Sequence, residues 1–191
     1  MADALILRRA SPADGDAIAA LYAPYVRDSV VTFETEAPGS SAMASRIAGR
    51  LDEGLPWIVA QQADGTVVGY AYAARFHPRH AYRFTVEPSV YLAQSVQGRG
   101  IGGRLYERLF SILTELGYRQ AVALIALPNP ASIALHQHFG FRHTGTHEQV
   151  GHKLGAWIDV GLWQRSIGAG HAPLGLDDPL PLVDSESWAA I

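Results

Sequence analysis

The sequence predicts a single α/β domain, and three observations support this class. Short apolar or alternating runs typical of strands are interleaved with segments whose apolar residues recur at helical spacing. Glycine and proline separate these segments, as turns and helix ends require. The chain has 191 residues, of which 48% are hydrophobic, and this suffices for one sizeable core. We therefore expect a domain at residues 1–166 and a proline-rich tail, extended or disordered, at residues 167–191.

The first half of the chain predicts three strands and two helices. Strands are expected at residues 5–8, 57–62 and 66–74, and helices at residues 12–26 and 42–52. The first helix begins where Ser11 offers a capping hydroxyl, Pro12 occupies the first turn and Asp14 adds a negative charge. The two strands after the second helix form a hairpin around Asp64-Gly65, a pair that favours tight turns.

The second half predicts four more strands and two more helices. Strands are expected at residues 82–92, 121–127, 141–150 and 156–165, and helices at residues 102–116 and 131–139. Gly117 and Gly140 fit as helix stops because glycine readily adopts the left-handed conformation found there. The run 121–127 is apolar throughout, which indicates a strand covered on both faces.

Pro88 interrupts the predicted strand 82–92. Side chains alternate along a strand, which places Glu87 on one face together with Ser89 and Tyr91. Proline cannot donate a ladder hydrogen bond, so it occurs at a sheet edge or at a bulge. A bulge would reset the alternation, and the face of Glu87 therefore stays open at this point.

A glycine-rich loop precedes the predicted helix 102–116. Glycines before a helix let a ligand approach the backbone, and the free N–H groups of the first turn attract anions, phosphate above all. Gly98, Gly100 and Gly103 also match the dinucleotide fingerprint G-x-G-x-x-G. However, five residues separate them from the strand, and the next strand does not end in an acid. A simple helix-capping turn is the remaining alternative.

The same loop resembles that of the GNAT acetyltransferases, [QR]-x-x-G-x-[GA], through Gln97, Gly100 and Gly102. Residues 129–141 resemble the second motif of that family, an Asn, a helix and then Gly-Phe. Two further segments resemble the phosphinothricin and methionine-sulfoximine N-acetyltransferase subfamily: 82–92 and 153–163. The resemblance covers about residues 3–165. It implies the GNAT fold, a mixed and mostly antiparallel sheet flanked by helices and splayed at the acetyl-CoA site.

The resemblance also implies acetyl-CoA as the co-substrate. Backbone amides of the glycine loop would hold the pyrophosphate, and the main chain of residues 90–92 would pair with the pantetheine arm. Asn129 would bond that arm, or simply cap the helix that follows it. The expected cofactor-binding residues are Val90, Tyr91, Leu92, Gln97, Gly98, Arg99, Gly100, Ile101, Gly102, Gly103, Asn129 and Ser132.

Catalytic roles are implied for Glu87, His136 and Tyr106. An α-ammonium must lose a proton before it can attack, and Glu87 matches the general base of the subfamily. Taken alone, Glu87 would be a surface residue of a strand. His136 matches the position that protonates the departing thiolate, or it packs beside Phe139. Tyr106 is a second candidate proton donor, or a core residue.

A small zwitterionic acceptor needs cations and hydrogen-bond donors. The loop of residues 75–83 supplies three arginines and two histidines, and arginine binds carboxylates in a bidentate manner. Together with the resemblance, this predicts a set of acceptor-binding residues. They are Phe33, Glu34, Arg75, Arg79, Tyr82, Lys153 and Trp157.

The resemblance thus implies transfer of an acetyl group from acetyl-CoA to the α-amine of a small amino acid analogue. The analogues are of the phosphinothricin, methionine sulfoximine or methionine sulfone type, and their amine would attack acetyl-CoA directly. The resemblance also implies that the enzyme is a homodimer. Three alternatives are a GNAT enzyme for another amine (a protein N-terminus or a polyamine), a CoA-binding sensor without activity, and a dinucleotide oxidoreductase.

Composition narrows the function classes further. The formal net charge is only −3 and the charges are interspersed, so no basic stripe suggests nucleic acid and no basic amphipathic helix suggests a membrane. The absence of cysteine excludes disulfides, thiolate metal sites and an acyl-cysteine intermediate. The apolar runs are too short for a signal peptide or a membrane span, so we expect a cytoplasmic protein.

The eight histidines do not predict a metal site. His136 and His138 are two apart on a helix and point away from each other. His143 and His147 would stand about 13 Å apart on a strand, at roughly 3.3 Å per residue. Neither pair makes a zinc site without ligands from elsewhere, and we expect no metal.

Overall fold

The computed structural model describes residues 5–168. Its strands and helices are β1 Leu5–Arg9, α1 Gly15–Asp28, α2 Ser40–Asp52, β2 Trp57–Gln62, β3 Val67–Arg75, β4 Thr85–Leu92, α3 Ile101–Glu115, β5 Gln120–Ala126, α4 Pro130–His138, β6 Arg142–Lys153 and β7 Ala156–Ser166. Every predicted element is present. Within these residues, no helix is long and apolar enough to cross a membrane.

All seven strands form one sheet in the order β1-β2-β3-β4-β5-β7-β6. The neighbours β4 and β5 run parallel, and every other neighbouring pair runs antiparallel. The expectation of a mixed, mostly antiparallel sheet is therefore confirmed. β4 and β5 pair only at Thr85–Gln120 and Val86–Ala121, whereas β4 continues to Leu92. The two strands separate beyond this point, which opens a cleft in the middle of the sheet.

The pleat of the sheet divides the core into two layers. Alternate residues of β2 belong to different clusters: Ile58 packs with α3, and Val59 packs with α1 and α2. α3 and α4 therefore cover one face of the sheet, and α1 and α2 cover the other. Leu105 and Leu109 of α3 and Ile18 of α1 are fully buried in these layers. The cleft between β4 and β5 is consequently bounded by helices on both sides.

The structure corrects the start of one predicted strand and decides between the two alternatives for Pro88. β4 begins at Thr85, because Tyr82 belongs to a one-turn 3-10 helix, His80–Tyr82. Pro88 does not lie in a bulge, because β4 pairs with β3 without a register shift. It occupies the edge that the divergence of β5 creates. The core also extends past residue 166, since Ile167 is buried, while residues 169–191 of the predicted tail lie outside the described residues.

Candidate active site

Glu87 lies beside the cleft on the face of the sheet that α1 and α2 cover. The unbroken register of β4 keeps the alternation intact, so Glu87 shares this face with Ser89 and Tyr91. The Glu87 side chain is half-buried. Burial raises the pKa of its carboxyl group above the ordinary value of 4.5, and the positive charge of Arg50 offsets part of that rise. A carboxylate with a raised pKa is suited to accept a proton near neutral pH.

The main chain of β4 presents polar groups to the cleft. Main-chain groups of a strand point alternately to its two sides. The carbonyl of Leu92 accepts a hydrogen bond of 2.6 Å from the Tyr25 hydroxyl, and that of Pro88 contacts the Tyr106 hydroxyl at 3.4 Å. Val90 lies between Pro88 and Leu92 in β4, so its N–H and C=O groups also point toward the cleft. Because Pro88 has no N–H, the Val90 amide is the first donor of β4 that the diverging region offers to the cleft.

Tyr106 and His136 face each other on the opposite side of the sheet. The Tyr106 hydroxyl lies 3.1 Å from Nε2 of His136, and Nδ1 of His136 lies 2.8 Å from the carbonyl oxygen of Ser132. A carbonyl only accepts, so Nδ1 carries the hydrogen and Nε2 of the neutral ring accepts from Tyr106. Burial lowers the pKa of His136, which keeps the ring neutral, although the bond to Ser132 opposes this.

Tyr106 is completely buried, and burial also raises the pKa of its phenol far above the ordinary value. Both rings line the narrow cleft of about 70 Å³ together with Glu87 and Asn129. Each of the two therefore combines core packing with a polar group at the cleft, and a role as proton donor stays a prediction for both.

Asn129 acts as the cap of α4. Its side-chain oxygen accepts a hydrogen bond of 3.1 Å from the N–H of Ser132, which confirms the capping interpretation. Asn129 also borders the cleft.

The glycine loop forms the entrance to α3. Gly98 and Gly100 adopt left-handed conformations with φ of 74° and 77°, and a Cβ atom at either position would meet no atom within 4 Å. The glycines are therefore required by backbone conformation, and the space above them is open. The first N–H groups of an α-helix have no partner within the helix. The start of α3 therefore has the features of an anion site, and binding of the acetyl-CoA pyrophosphate there stays a prediction.

Gln97 connects the loop with the cleft. Its side-chain amide donates a hydrogen bond of 3.1 Å to the Tyr25 hydroxyl, which itself bonds Leu92. Arg99 is exposed next to the glycines, and Ile101 and Gly102 are buried under them. Gln97 and Tyr25 therefore link the glycine loop to the Leu92 end of β4, and cofactor binding by the predicted residues stays a prediction.

A pocket of about 430 Å³ opens beside Glu87. We call it the carboxylate pocket, because Glu34 and Glu87 are its two acids. Phe33, Val31 and Leu124 supply apolar surface. The residues that line it are Tyr22, Val31, Thr32, Phe33, Glu34, Tyr72, Glu87, Ser89, Tyr91, Leu124, Ala126, His147, Val150 and Val160. Since Glu87 borders both the pocket and the cleft, a molecule in the pocket can reach the cleft past this carboxylate.

The loop between α1 and α2 closes one wall of the carboxylate pocket and is held by β6. The ammonium group of Lys153 donates a hydrogen bond of 2.6 Å to the carbonyl of Thr32. The ring of Phe33 packs on Gly151 so closely that a Cβ atom there would overlap it. Lys153 thus fixes the loop and does not line the pocket.

The structure brings only part of the predicted acceptor set to the pocket. Phe33 and Glu34 line it, whereas Arg75, Arg79 and Tyr82 do not. Arg75 lies 3.5 Å from Glu53, and Tyr82 packs against His77. Trp157 is 65% exposed on the β6–β7 hairpin. A role for these four side chains and for Lys153 in acceptor binding stays a prediction.

Sequence reasoning missed several pocket residues. Tyr22 and Tyr72 have the spacing of core residues, and only the fold shows that they reach the pocket. His147 lies on a strand without any local motif. Arg46, which pairs with Glu34, belongs to an ordinary surface helix. Within residues 5–168, the structure contains no group of three or more His, Asp or Glu side chains arranged to hold a metal ion.

Comparison with known proteins agrees with this geometry. The acetyltransferase (GNAT) domain family matches residues 7–162. A phosphinothricin N-acetyltransferase of Alcaligenes faecalis is 43% identical over 162 residues, 84% of this chain and 82% of that protein. A methionine sulfoximine/methionine sulfone acetyltransferase of Pseudomonas paraeruginosa is 33% identical over 161 residues, 84% of this chain and 94% of that protein.

A solved structure gives the same result. The phosphinothricin acetyltransferase of Sinorhizobium meliloti, determined in complex with acetyl-CoA, superimposes with a TM-score of 0.85 at 40% identity. The superposition covers 89% of this chain and 93% of that one. The family match, the identities and the shared fold confirm the predicted resemblance, and the chain belongs to the GNAT family of acetyl-CoA-dependent N-acetyltransferases.

Proposed function

We propose that this enzyme transfers the acetyl group of acetyl-CoA to the α-amine of a small amino acid analogue of the phosphinothricin, methionine sulfoximine or methionine sulfone type. Relatives that carry these names are 33–43% identical over most of the chain. The carboxylate pocket, at about 430 Å³, has a volume suited to a compact acceptor. It opens onto Glu87, where the amine would enter.

The observation that carries the proposal is the placement of polar groups around the cleft. Glu87 borders it from the α1 face of the sheet, and the Tyr106–His136 pair borders it from the α3 face. The Val90 amide lies between them on the edge of β4. A thioester in the cleft would therefore have a base on one side and a proton donor on the other, with an N–H group aimed at its carbonyl oxygen.

The proposed chemistry follows from this order. Glu87 takes one proton from the α-ammonium, directly or through water, and the neutral amine attacks the thioester carbon. The Val90 N–H stabilises the negative charge that develops on the carbonyl oxygen. The C–S bond breaks as the C–N bond forms, and the Tyr106–His136 pair supplies the proton that the sulfur needs. The second proton of the nitrogen restores that pair, and Glu87 releases the first proton to solvent.

A polyamine acceptor is the second candidate, since two carboxylates in one pocket attract cations. One of them is already balanced, because Glu34 forms a bidentate ion pair with Arg46. This pair leaves Glu87 as the carboxylate without a bound cation in the described part of the pocket. A single free carboxylate suits one ammonium group better than a polycation.

We also propose that the enzyme forms a homodimer through the β6–β7 end of the sheet. Val150, Leu154 and Trp157 are apolar and 58%, 62% and 65% exposed. β6 is the last strand of the sheet, so its outer edge has no strand partner among the described residues. Exposed apolar residues beside an open strand edge are typical of an interface. A second copy of the chain is the proposed occupant.

The proposed reaction is tested by product analysis. The purified enzyme is incubated with acetyl-CoA and, separately, with methionine sulfone, methionine sulfoximine, phosphinothricin, their decarboxylated amines, and spermidine. CoA release and mass spectrometry then identify acetylated products. We expect N-acetylated amino acid analogues and at most trace products from spermidine and the decarboxylated amines. Preferred acetylation of spermidine, or no turnover of any acceptor, would overturn the proposal.

A further inference from the structure

The carboxylate pocket has an unusual charge balance for an enzyme of this proposed function. Its two ionisable acids are Glu34 and Glu87, and its basic side chain is His147. Across residues 5–168, neither lysine nor arginine lines it. An anionic head group on an acceptor normally requires a guanidinium or ammonium partner. Among the described residues, the wall of the pocket therefore offers no guanidinium or ammonium group to an anionic head group on the acceptor.

The cation that contacts the wall, Arg46, is already engaged. Nη1 and Nη2 of Arg46 bind the two carboxylate oxygens of Glu34 at 2.7 Å and 2.9 Å. This bidentate geometry is the strongest arrangement that the two groups can form. The Tyr22 hydroxyl adds a third bond to the Glu34 carboxylate at 3.0 Å. The pKa of Glu34 lies below its ordinary value mainly because Arg46 donates hydrogen bonds to its carboxylate. Glu34 is therefore ionised near neutral pH.

Arg46 lies on the side of Glu34 that faces away from the carboxylate pocket. Arg46 lines a neighbouring pocket of about 430 Å³ and not the carboxylate pocket. Tyr22, Glu34 and Tyr72 line both pockets and so form their common wall. Glu34 thus stands between Arg46 and any acceptor, and it occupies the position on the guanidinium that an anionic head group would take.

Three other cations are also held elsewhere. Lys153 is 6% exposed, and its ammonium group bonds the carbonyl of Thr32. Arg50 and Arg75 both lie beside Glu53, although the charge of Arg50 still offsets part of the pKa rise of Glu87. The carboxylate pocket is therefore acidic, and its acidity comes from Glu34 at the wall and Glu87 at the cleft.

We propose that Glu34 is a specificity-determining residue that makes the enzyme prefer acceptors with an uncharged polar head over acceptors with an anionic head. The preferred class is zwitterionic amino acids with a sulfone or sulfoximine group. Phosphinothricin, whose phosphinate adds a net negative charge, is disfavoured by the Glu34 carboxylate. The inference rests on the proposed function, because it concerns the choice among the acceptors of that reaction.

The test compares kcat/KM for methionine sulfone with kcat/KM for phosphinothricin. Both acceptors carry the same α-ammonium and α-carboxylate, so their ratio isolates the head group. We expect the wild type to favour methionine sulfone. Glu34→Gln removes the negative charge and frees Arg46, and it should move the ratio toward phosphinothricin by roughly ten- to hundredfold, the worth of one charged hydrogen bond. Arg46→Gln leaves Glu34 uncompensated and should move the ratio in the opposite direction.

Glu36→Gln is the matched control. Glu36 is an exposed acid two residues further along the same loop and does not line the pocket, so its neutralisation should leave the ratio unchanged. The KM for acetyl-CoA shows whether each variant is folded. A wild type that prefers phosphinothricin, or a Glu34→Gln variant with an unchanged ratio and a normal KM for acetyl-CoA, would overturn the inference. If neither acceptor is acetylated, the proposed function itself has failed.

Discussion

At the Glu87 carboxylate, the proposed general base, catalysis and stability would oppose each other. It is half-buried beside the cleft, and burial raises its pKa. A carboxyl group with a raised pKa in the folded state binds a proton more tightly there than in the unfolded chain. Its charge therefore destabilises the fold at pH values above that pKa. Such a cost is common at active sites, where a group is held in an unfavourable state for its chemistry.

We predict that Glu87→Gln stabilises the protein at neutral pH. The amide keeps the shape of the side chain and removes the buried charge. The melting temperature should exceed that of the wild type at pH 7, by on the order of 2–4 °C for each kcal/mol. The difference should shrink as the pH falls through the raised pKa and vanish well below the ordinary value of 4.5, where both states of the wild type are protonated.

Thermal melts from pH 3 to pH 8 measure this difference. Glu107→Gln is the control, since Glu107 is exposed on α3 and its neutralisation removes no buried charge. A Glu87→Gln variant that melts below the wild type at pH 7 would show that the carboxylate is favourably paired in the folded protein.

Individual residues differ in how far the sequence predicts them. The resemblance of the surrounding segment to a known subfamily is what predicts Glu87 as a general base, since the strand pattern alone indicates a surface residue. The Glu34–Arg46 pair was not predicted, since the two residues are twelve positions apart on a loop and a helix. Only the way α2 packs beside the loop brings them together. Pairs of this kind depend on tertiary structure and have no local signal.

Among the secondary-structure elements, β4 and the glycine loop create the site. β4 diverges from β5 after two residue pairs, and Pro88 stands at this point without an N–H group to pair. The loop then returns the chain to α3 through Gly98 and Gly100, both with positive φ. The strand therefore provides the cleft, and the glycines provide the adjoining anion site.

Gly100→Ala should weaken acetyl-CoA binding. An alanine in the left-handed conformation costs about 1–2 kcal/mol, and relief of that strain would move the loop backbone away from its present path. We expect a several-fold higher KM for acetyl-CoA and an unchanged KM for the acceptor. Steady-state kinetics with each substrate varied in turn provide the measurement.

Gly65→Ala is the matched control for this change. Gly65 also has a positive φ, 90°, but it lies in the β2–β3 hairpin away from the cleft. It should lower stability by a similar amount and leave both KM values unchanged. Equal KM values for acetyl-CoA in Gly100→Ala and the wild type would contradict the role of the loop.

The sequence predicted the existence and order of all the elements, because hydrophobic periodicity and glycine stops are local signals. It placed the start of β4 three residues too early, since Tyr82 continues the alternation of the strand although it lies in a 3-10 turn. It also did not decide whether Pro88 lies in a bulge or at a sheet edge. The sequence shows that proline cannot donate there, but only the neighbouring strand decides whether the result is a bulge or an edge.

At the scale of the whole molecule, the site lies where the two core layers meet the splayed centre of the sheet. Glu87 and the Tyr106–His136 pair, the proposed base and proton donor, lie on opposite faces of the sheet, which would separate the acceptor side from the thiolate side. In the proposed transfer both substrates react directly, in agreement with the absence of cysteine.

The apolar β6–β7 end of the sheet should control assembly. Leu154→Lys places a charge in the exposed apolar cluster and should shift the protein from dimer to monomer. Size-exclusion chromatography with light scattering measures the mass. Ile6→Lys at the other end of the sheet, where Ile6 is 49% exposed, is the control and should leave the mass unchanged. A wild type that is monomeric, or a Leu154→Lys variant that remains dimeric, would contradict the proposed interface.

The central claim is that Glu87 accepts the proton of the amine at the edge of the cleft. The most direct test is the kcat of Glu87→Gln and of the wild type with methionine sulfone between pH 6 and pH 9, with acetyl-CoA affinity measured in parallel. We predict a loss of roughly 10²–10⁴ in kcat, with affinity for acetyl-CoA little changed. Near-normal turnover of Glu87→Gln across this range would show that the proton goes elsewhere and would contradict the account.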